Sequence, residues 1–242
     1  MTGCINSQTI PGFERKVYND GNGSMPYRIL LPKDFNASKK YPVIFFLHGM
    51  GERGNDNDIQ LVHGSSLFLS DSVRNKYPSI VVFPQCPKDS YWSNVFTEEG
   101  LRSFNITRSP TKAMEMLILL INKVLTEYPV EKKQVYIGGL SMGGMGVFEI
   151  AARQPGLFAA AFAICGGGDT TAVDKMINPA WWIFHGKNDE VVPPVLSEQM
   201  AEALTKAGAN VKLSMYPNVN HDSWNNAFAE PNLLPWLFSH HK

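Results

Sequence analysis

Residues 134–146 read QVYIGGLSMGGMG: an apolar run, then five glycines around one serine, Ser141. Each glycine in a strand or at a helix start costs roughly 0.5–1 kcal/mol relative to alanine, so the crowding predicts a place where side chains cannot be accommodated. Gly139-Leu140-Ser141-Met142-Gly143 has the form Gly-x-Ser-x-Gly. By chance alone that form arises in roughly one chain in ten of this composition, so its setting decides its meaning. A strand-like stretch precedes it, and MGVFEIAARQ, helix-like, follows. That setting predicts a nucleophile elbow, a sharp strand-to-helix turn that exposes the serine at the positive end of the helix. Gly143, Gly144 and Gly146, with Ala151 and Ala152, predict close approach of this helix to a sheet.

Outward from the elbow, short apolar runs recur at 42–47, 79–84, 158–164, 180–185 and 211–216. Most are continuous rather than alternating, as in strands buried on both faces of a mainly parallel sheet. Helical patterns lie between several of them. One is predicted to start at Ser109-Pro110, with serine as the cap and proline at the first helical position, and to stop at Pro129. Another spans about Pro194 to Ala207 and ends at Gly208. In front, FERKVY (13–18) and PYRILL (26–31) flank NDGNGS, a hairpin signal. The pattern predicts one α/β domain over residues 1–242, residues 1–12 forming a tail. Its sheet should have about eight mostly parallel strands, helices on both faces and an N-terminal antiparallel hairpin.

The chain has 242 residues, 44% hydrophobic, with 22 basic and 22 acidic side chains. Balanced charge without like-charge blocks gives no pull towards nucleic acid or anionic lipid. No apolar run approaches the roughly 20 residues that span a bilayer. The cysteines Cys4, Cys86 and Cys165 match neither a metal pattern nor a disulfide framework. MTGCINS carries no export signal, which points to the cytoplasm. Thr-Gly-Cys at 2–4 nevertheless has the look of a lipoprotein cleavage site, leaving export or lipid anchoring as the alternative.

A serine hydroxyl needs a base, and the base needs an orienting acid. Behind an elbow the chain order is serine, acid, histidine. His185, at the end of an apolar run, has only Asp169 before it as an acid; His240 and His241 sit at the terminus. His221, in the polar stretch after the last strand, is the expected base. Asp189, in the loop after AWWIFHG, is the expected acid; Glu190, Asp222 and above all Asp169 are its rivals. Two backbone N–H groups should form an oxyanion hole, one from Met142 and one from Met50, with Gly51 second. His48 is expected to brace that loop, and Glu52-Arg53 to hold it through ion pairs. Cys86 and Cys165 are read as small buried packing residues. The segment 88–105, with Tyr91, Trp92, Phe96 and Phe104, follows neither a strand nor a helix period and reads as irregular; it should form one wall of a substrate pocket, with Trp224 opposite.

Together LHGMGERGND (47–56), FPQCP (83–87), GLSMGGMG (139–146), ICGGGD (164–169), HGKNDEVVP (185–193) and NHDSW (220–224) resemble the α/β-hydrolase serine esterases. They are most similar to the small bacterial group called phospholipase/carboxylesterase-like, dienelactone-hydrolase-like or "predicted peptidase". The resemblance implies a cofactor-free, metal-free hydrolase with Ser141 as nucleophile, Asp189 as acid and His221 as base. The expected partner is a small-molecule or polymer-linked ester. A peptidase using the same groups, or a non-catalytic binding protein on this scaffold, are the alternatives. Only about a dozen residues separate ICGGGD from the next strand, too few for a lid domain.

Overall fold

A computed structural model describes residues 12–21, 23–98 and 101–242. The Thr-Gly-Cys stretch and residues 1–11 of the expected tail lie outside the described residues. The described residues form ten strands: β1 Phe13–Asn19, β2 Ser24–Leu30, β3 Tyr41–Leu47, β4 Ile80–Pro84, β5 Val95–Glu98, β6 Leu101–Phe104, β7 Val130–Leu140, β8 Ala160–Ile164, β9 Ala180–Gly186 and β10 Val211–Tyr216. Seven α-helices accompany them: α1 Ser65–Leu69, α2 Asp71–Lys76, α3 Lys112–Glu127, α4 Met142–Arg153, α5 Val195–Lys206, α6 Trp224–Ala229 and α7 Leu233–Ser239.

Eight strands form one sheet in the order β1-β2-β4-β3-β7-β8-β9-β10. The first two pair antiparallel as a hairpin, and β2 meets β4 antiparallel; every later pairing is parallel. Alternate residues of β3 explain the unbroken apolar runs. Val43, Phe45 and Leu47 face a core shared with α3, α4 and α5, while Ile44 and Phe46 face a second core shared with Phe68 of α1, Ala227 of α6 and Leu233 of α7. A strand covered on both sides gains nothing from polar alternation.

Two expectations need correction. Helix α3 begins later than the Ser109-Pro110 pair: its cap is Thr111, whose Oγ1 accepts from the Met114 N–H at 3.1 Å. Thr111 Oγ1 also donates to the Tyr91 carbonyl at 2.6 Å, tying the cap to the preceding segment and favouring it over Ser109. Residues 88–105 are not irregular throughout, because β5 and β6 pair there as a separate antiparallel hairpin. Between β8 and β9 stands only a 3₁₀ turn, Thr170–Lys175, so nothing from that connection covers the C-terminal edge of the sheet.

Candidate active site

Ser141 joins β7 to α4 with φ 52° and ψ −118°, a strained conformation for a side-chain-bearing residue. The strain is held by packing. A Cβ on Gly143 would stand 2.0 Å from the Leu47 carbonyl oxygen, so only glycine lets α4 descend onto β3 here. The Ser141 N–H donates to Ile164 O at 2.8 Å, fixing the turn to β8. Met142 is the first residue of α4, where an N–H has no carbonyl one turn back to bond.

The loops after β9 and β10 are stitched together. Lys187 N–H donates to Tyr216 O at 2.9 Å and Asn188 N–H to Val219 O at 3.0 Å. A Cβ on Gly186 would meet Val219 O and Asn220 O at 2.3 Å, so glycine again permits the approach. The junction brings together residues far apart in sequence. Ser141 Oγ lies 2.9 Å from His221 Nε2, and His221 Nδ1 lies 2.8 Å from Asp189 Oδ2. Asp189 is 4% exposed, and its Oδ1 accepts from the Val191 and Val192 N–H groups at 2.9 and 2.8 Å.

Burial pushes the Asp189 carboxyl up, but hydrogen bonds from His185 and His221, the Val192 N–H and the His221 charge outweigh it. The carboxyl is held well below the usual carboxylate range. His185 is the contact that the sequence did not suggest. Fully buried, it places Nε2 3.1 Å from Asp189 Oδ2 and 2.9 Å from Val192 O, with Nδ1 2.7 Å from Ser197 Oγ. Both neighbours of Nε2 are oxygens that only accept, so Nε2 carries the proton. The rival acid Asp169 is engaged elsewhere, accepting from the Thr171 N–H and hydroxyl and from the Ile106 N–H. His240 accompanies Trp236 and Ser239 near the C-terminus.

A cavity of about 570 Å³ opens over Ser141. Gly49, Met50, Gly51, Met142, Tyr91 and Trp224 are among its lining residues, so both expected oxyanion-loop positions border it. Trp92 does not border it. That side chain is fully buried, its Nε1–H donates to His48 O at 3.1 Å, and it packs against Gly146. The wall is instead made by its neighbour Tyr91 and by Val95, Thr97 and Arg102 of the hairpin. Phe96 of β5 lies under the Arg108 guanidinium at 4.1 Å. His48 braces the loop: Nε2 accepts from Cys86 N–H at 2.9 Å, and Nδ1 donates to Gly49 O at 2.6 Å. Burial pushes its pKa down to about 4, so the ring is neutral at pH 7.

Arg53 corrects another expectation. It makes no ion pair among the described residues, but donates to the carbonyls of Met50, Lys88 and Ser90. Cys86 and Cys165 are buried, and burial pushes each thiol up to about 12. Cys165 Sγ lies with Asp189 and His221 ligand atoms inside 4.8 Å. A thiol so reluctant to ionise, beside a His221 nitrogen already paired with Asp189, is a poor ligand set for a metal.

Comparison with known proteins adds a family. A model described as Phospholipase/Carboxylesterase matches residues 35–231. The bifunctional acetylxylan esterase/xylanase XynS20E of Neocallimastix patriciarum is 28% identical over 172 residues, covering 71% of this chain and 22% of that protein. Lysophospholipase-like protein 1 of Mus musculus is 24% identical over 190 residues, covering 74% and 79% respectively. A solved thermostable esterase superposes with a TM-score of 0.88 at 34% identity, covering 96% of this chain and 64% of that one. A CE1 ferulic acid esterase from Anaeromyces mucronatus, solved with ferulic acid, gives 0.66 at 19% identity over 90% and 86%; at that identity the likeness is one of fold. The chain thus spans about a fifth of the first curated relative and just under two thirds of the thermostable esterase. Among the described residues no helix is long and apolar enough to cross a membrane.

Proposed function

The chain belongs to the phospholipase/carboxylesterase family, and we propose that it is a serine carboxylesterase working through Ser141, His221 and Asp189. The observation that carries this reading is the unbroken contact chain of 2.9 and 2.8 Å from Ser141 through His221 to Asp189, at the floor of an open cavity. Ser141 Oγ attacks the ester carbonyl while its proton passes to His221 Nε2. Negative charge on the former carbonyl oxygen is met by the N–H groups of Met142 and Met50, each contributing roughly 3 kcal/mol to the transition state. His221 returns the proton to the leaving alcohol, and the acyl group stays on Ser141. His221 then takes a proton from water, whose oxygen attacks the acyl-enzyme, and passes it to Ser141 Oγ as the acyl–oxygen bond breaks and the acid leaves. Asp189 fixes the tautomer with Nδ1 protonated and stabilises the imidazolium that forms transiently within each step.

A cavity without a lid from the short β8–β9 connection suits soluble esters or acyl groups projecting from a polymer. The name of one relative, acetylxylan esterase, supports the polymer-linked class. Short-chain 4-nitrophenyl esters assayed beside peptide anilides of similar size test the reaction type. Esters are expected to turn over faster; faster anilide cleavage would make the enzyme a peptidase.

A further inference from the structure

Glu52 is electrostatically out of place. It ends the 3₁₀ turn Met50–Glu52, on the loop assigned above to oxyanion binding, and its side chain is only 13% exposed. Among the described residues neither carboxylate oxygen has a hydrogen-bond donor; the nearest side-chain nitrogen paired with it, His63 Nε2, is 3.8 Å from Oε1. Oε2 and Ser141 Cβ lie 3.0 and 3.7 Å from one common point, where a Cβ on Gly49 would stand. A negative charge that near the serine opposes the oxyanion of every acyl transfer. It has also surrendered much of its hydration. Something on the ligand side is needed to offset both.

The surroundings indicate what. Glu52, His63 and Trp224 all line the cavity that holds Ser141. The His63 and Trp224 rings are 5.0 Å apart, and the Trp224 and His221 rings 5.5 Å apart. His221 must protonate the leaving oxygen, so the alcohol of the ester lies on this side of the serine. A 3.8 Å gap between a carboxylate and an imidazole is too long for a direct bond and suits one bridging hydroxyl. An indole face beside it accommodates the apolar C–H face of a ring. A cationic alcohol fits less well: Arg102 lines the same cavity, and the Arg53 guanidinium already covers the Tyr91 ring at 4.6 Å.

We propose that Glu52, His63 and Trp224 form a leaving-group subsite for a neutral, vicinally hydroxylated, sugar-like alcohol, whose hydroxyls donate to Glu52. The proposal rests on the esterase reading above. Its test compares three acetates, 4-nitrophenyl acetate, a monoacetylated methyl xylopyranoside and acetylcholine, on the wild-type enzyme, Glu52→Gln and His63→Ala. Glu52→Gln is expected to lower kcat/KM on the sugar acetate about tenfold or more, because a charged acceptor with two oxygens is replaced by an amide with one neutral acceptor and an NH₂ that cannot accept. The same change should raise kcat/KM on the aryl acetate a few-fold, because the charge opposing the oxyanion is gone. His63→Ala, which leaves the loop backbone alone, should move the sugar-to-aryl ratio in the same direction. Equal losses on both esters would make Glu52 a loop brace and overturn the subsite, as would an unchanged sugar rate. Preference for acetylcholine, lost in Glu52→Gln, would replace the sugar with a cation. Failure of the wild-type enzyme on the aryl acetate would sink the esterase reading, and the subsite with it.

Discussion

Ser141 and Tyr91 border one cavity, yet the chain holds them by opposite means. The serine is fixed by backbone: a positive φ, the Ser141 N–H on Ile164 O, and a glycine pressed to 2.0 Å of a β3 carbonyl. Tyr91 is fixed by side chains. Arg53 lies over its ring and donates to the carbonyls of Lys88 and Ser90 beside it, and Thr111 donates to its own carbonyl. Its half of the cavity continues into a two-stranded hairpin that is not part of the main sheet, joined across the cavity by the Arg102 bond to Val191 O. The elbow glycines Gly139 and Gly143 admit no side chain without moving the backbone pressed against them. The wall can change residue by residue, the arrangement expected when one reaction is adapted to many substrates.

The largest effect should come from the acid behind the elbow. In Asp189→Asn the N–H groups of Val191 and Val192 hold the amide oxygen, so its NH₂ turns towards His185 and His221. His221 is then driven to the wrong tautomer, which in serine proteases costs roughly 10⁴ in kcat. Asp169→Asn, whose side-chain hydrogen bonds among the described residues go to Thr171 and Ile106, should leave most turnover intact. Reversal of the two outcomes would redraw the site through the loop after β8.

A smaller effect concerns the brace under the oxyanion loop. An unfolded histidine binds its proton near pH 6.5, whereas buried His48 resists until about pH 4. Protonation therefore favours the unfolded chain throughout that window. Stability is complete above about pH 6.5 and declines towards pH 4, by about 3 kcal/mol for this group. Urea unfolding at pH 7.5 and 4.5 should show the decline, and His48→Gln should flatten it. An equal decline in both proteins would remove His48 from the account.

The smallest effect belongs to the wall. Arg102→Ala frees the hairpin from Val191 and enlarges the cavity, so KM for bulky aryl esters should change a few-fold with kcat for acetate nearly constant. A collapse of kcat would show that the wall, like the elbow, sets the chemistry.

The same contrast governs what the sequence disclosed. Ser141, Asp189 and His221 each follow a recognisable strand, and their proximity is a consequence of parallel strands ending at one edge. The doubly covered sheet was equally plain from runs such as PVIFFL. Residues 95–104 were not, because four-residue strands are too short to show a period. Tyr91 lines the cavity as expected, but Trp92 does not, for a related reason: adjacent side chains point to opposite sides, and only the packing of Trp92 under Gly146 tells which is inside. His185 looked like the end of an apolar strand. Its contact with Asp189, four positions on, depends on the chain folding back just past β9, which no pattern of residue types announces. The helix-start signal at Ser109-Pro110 failed because Thr111 had a tertiary partner in Tyr91 that Ser109 lacked.

The central claim is that His221 and Asp189 make Ser141 a nucleophile. It is met most directly by brief treatment with a fluorophosphonate, followed by mass spectrometry of the intact protein and its peptides. One phosphonyl group is expected per chain, on the peptide containing Ser141, with loss of esterase activity in step with labelling and far slower labelling in His221→Ala. An unlabelled Ser141 in fully active protein, or an adduct on another residue that tracks the loss of activity, would contradict it.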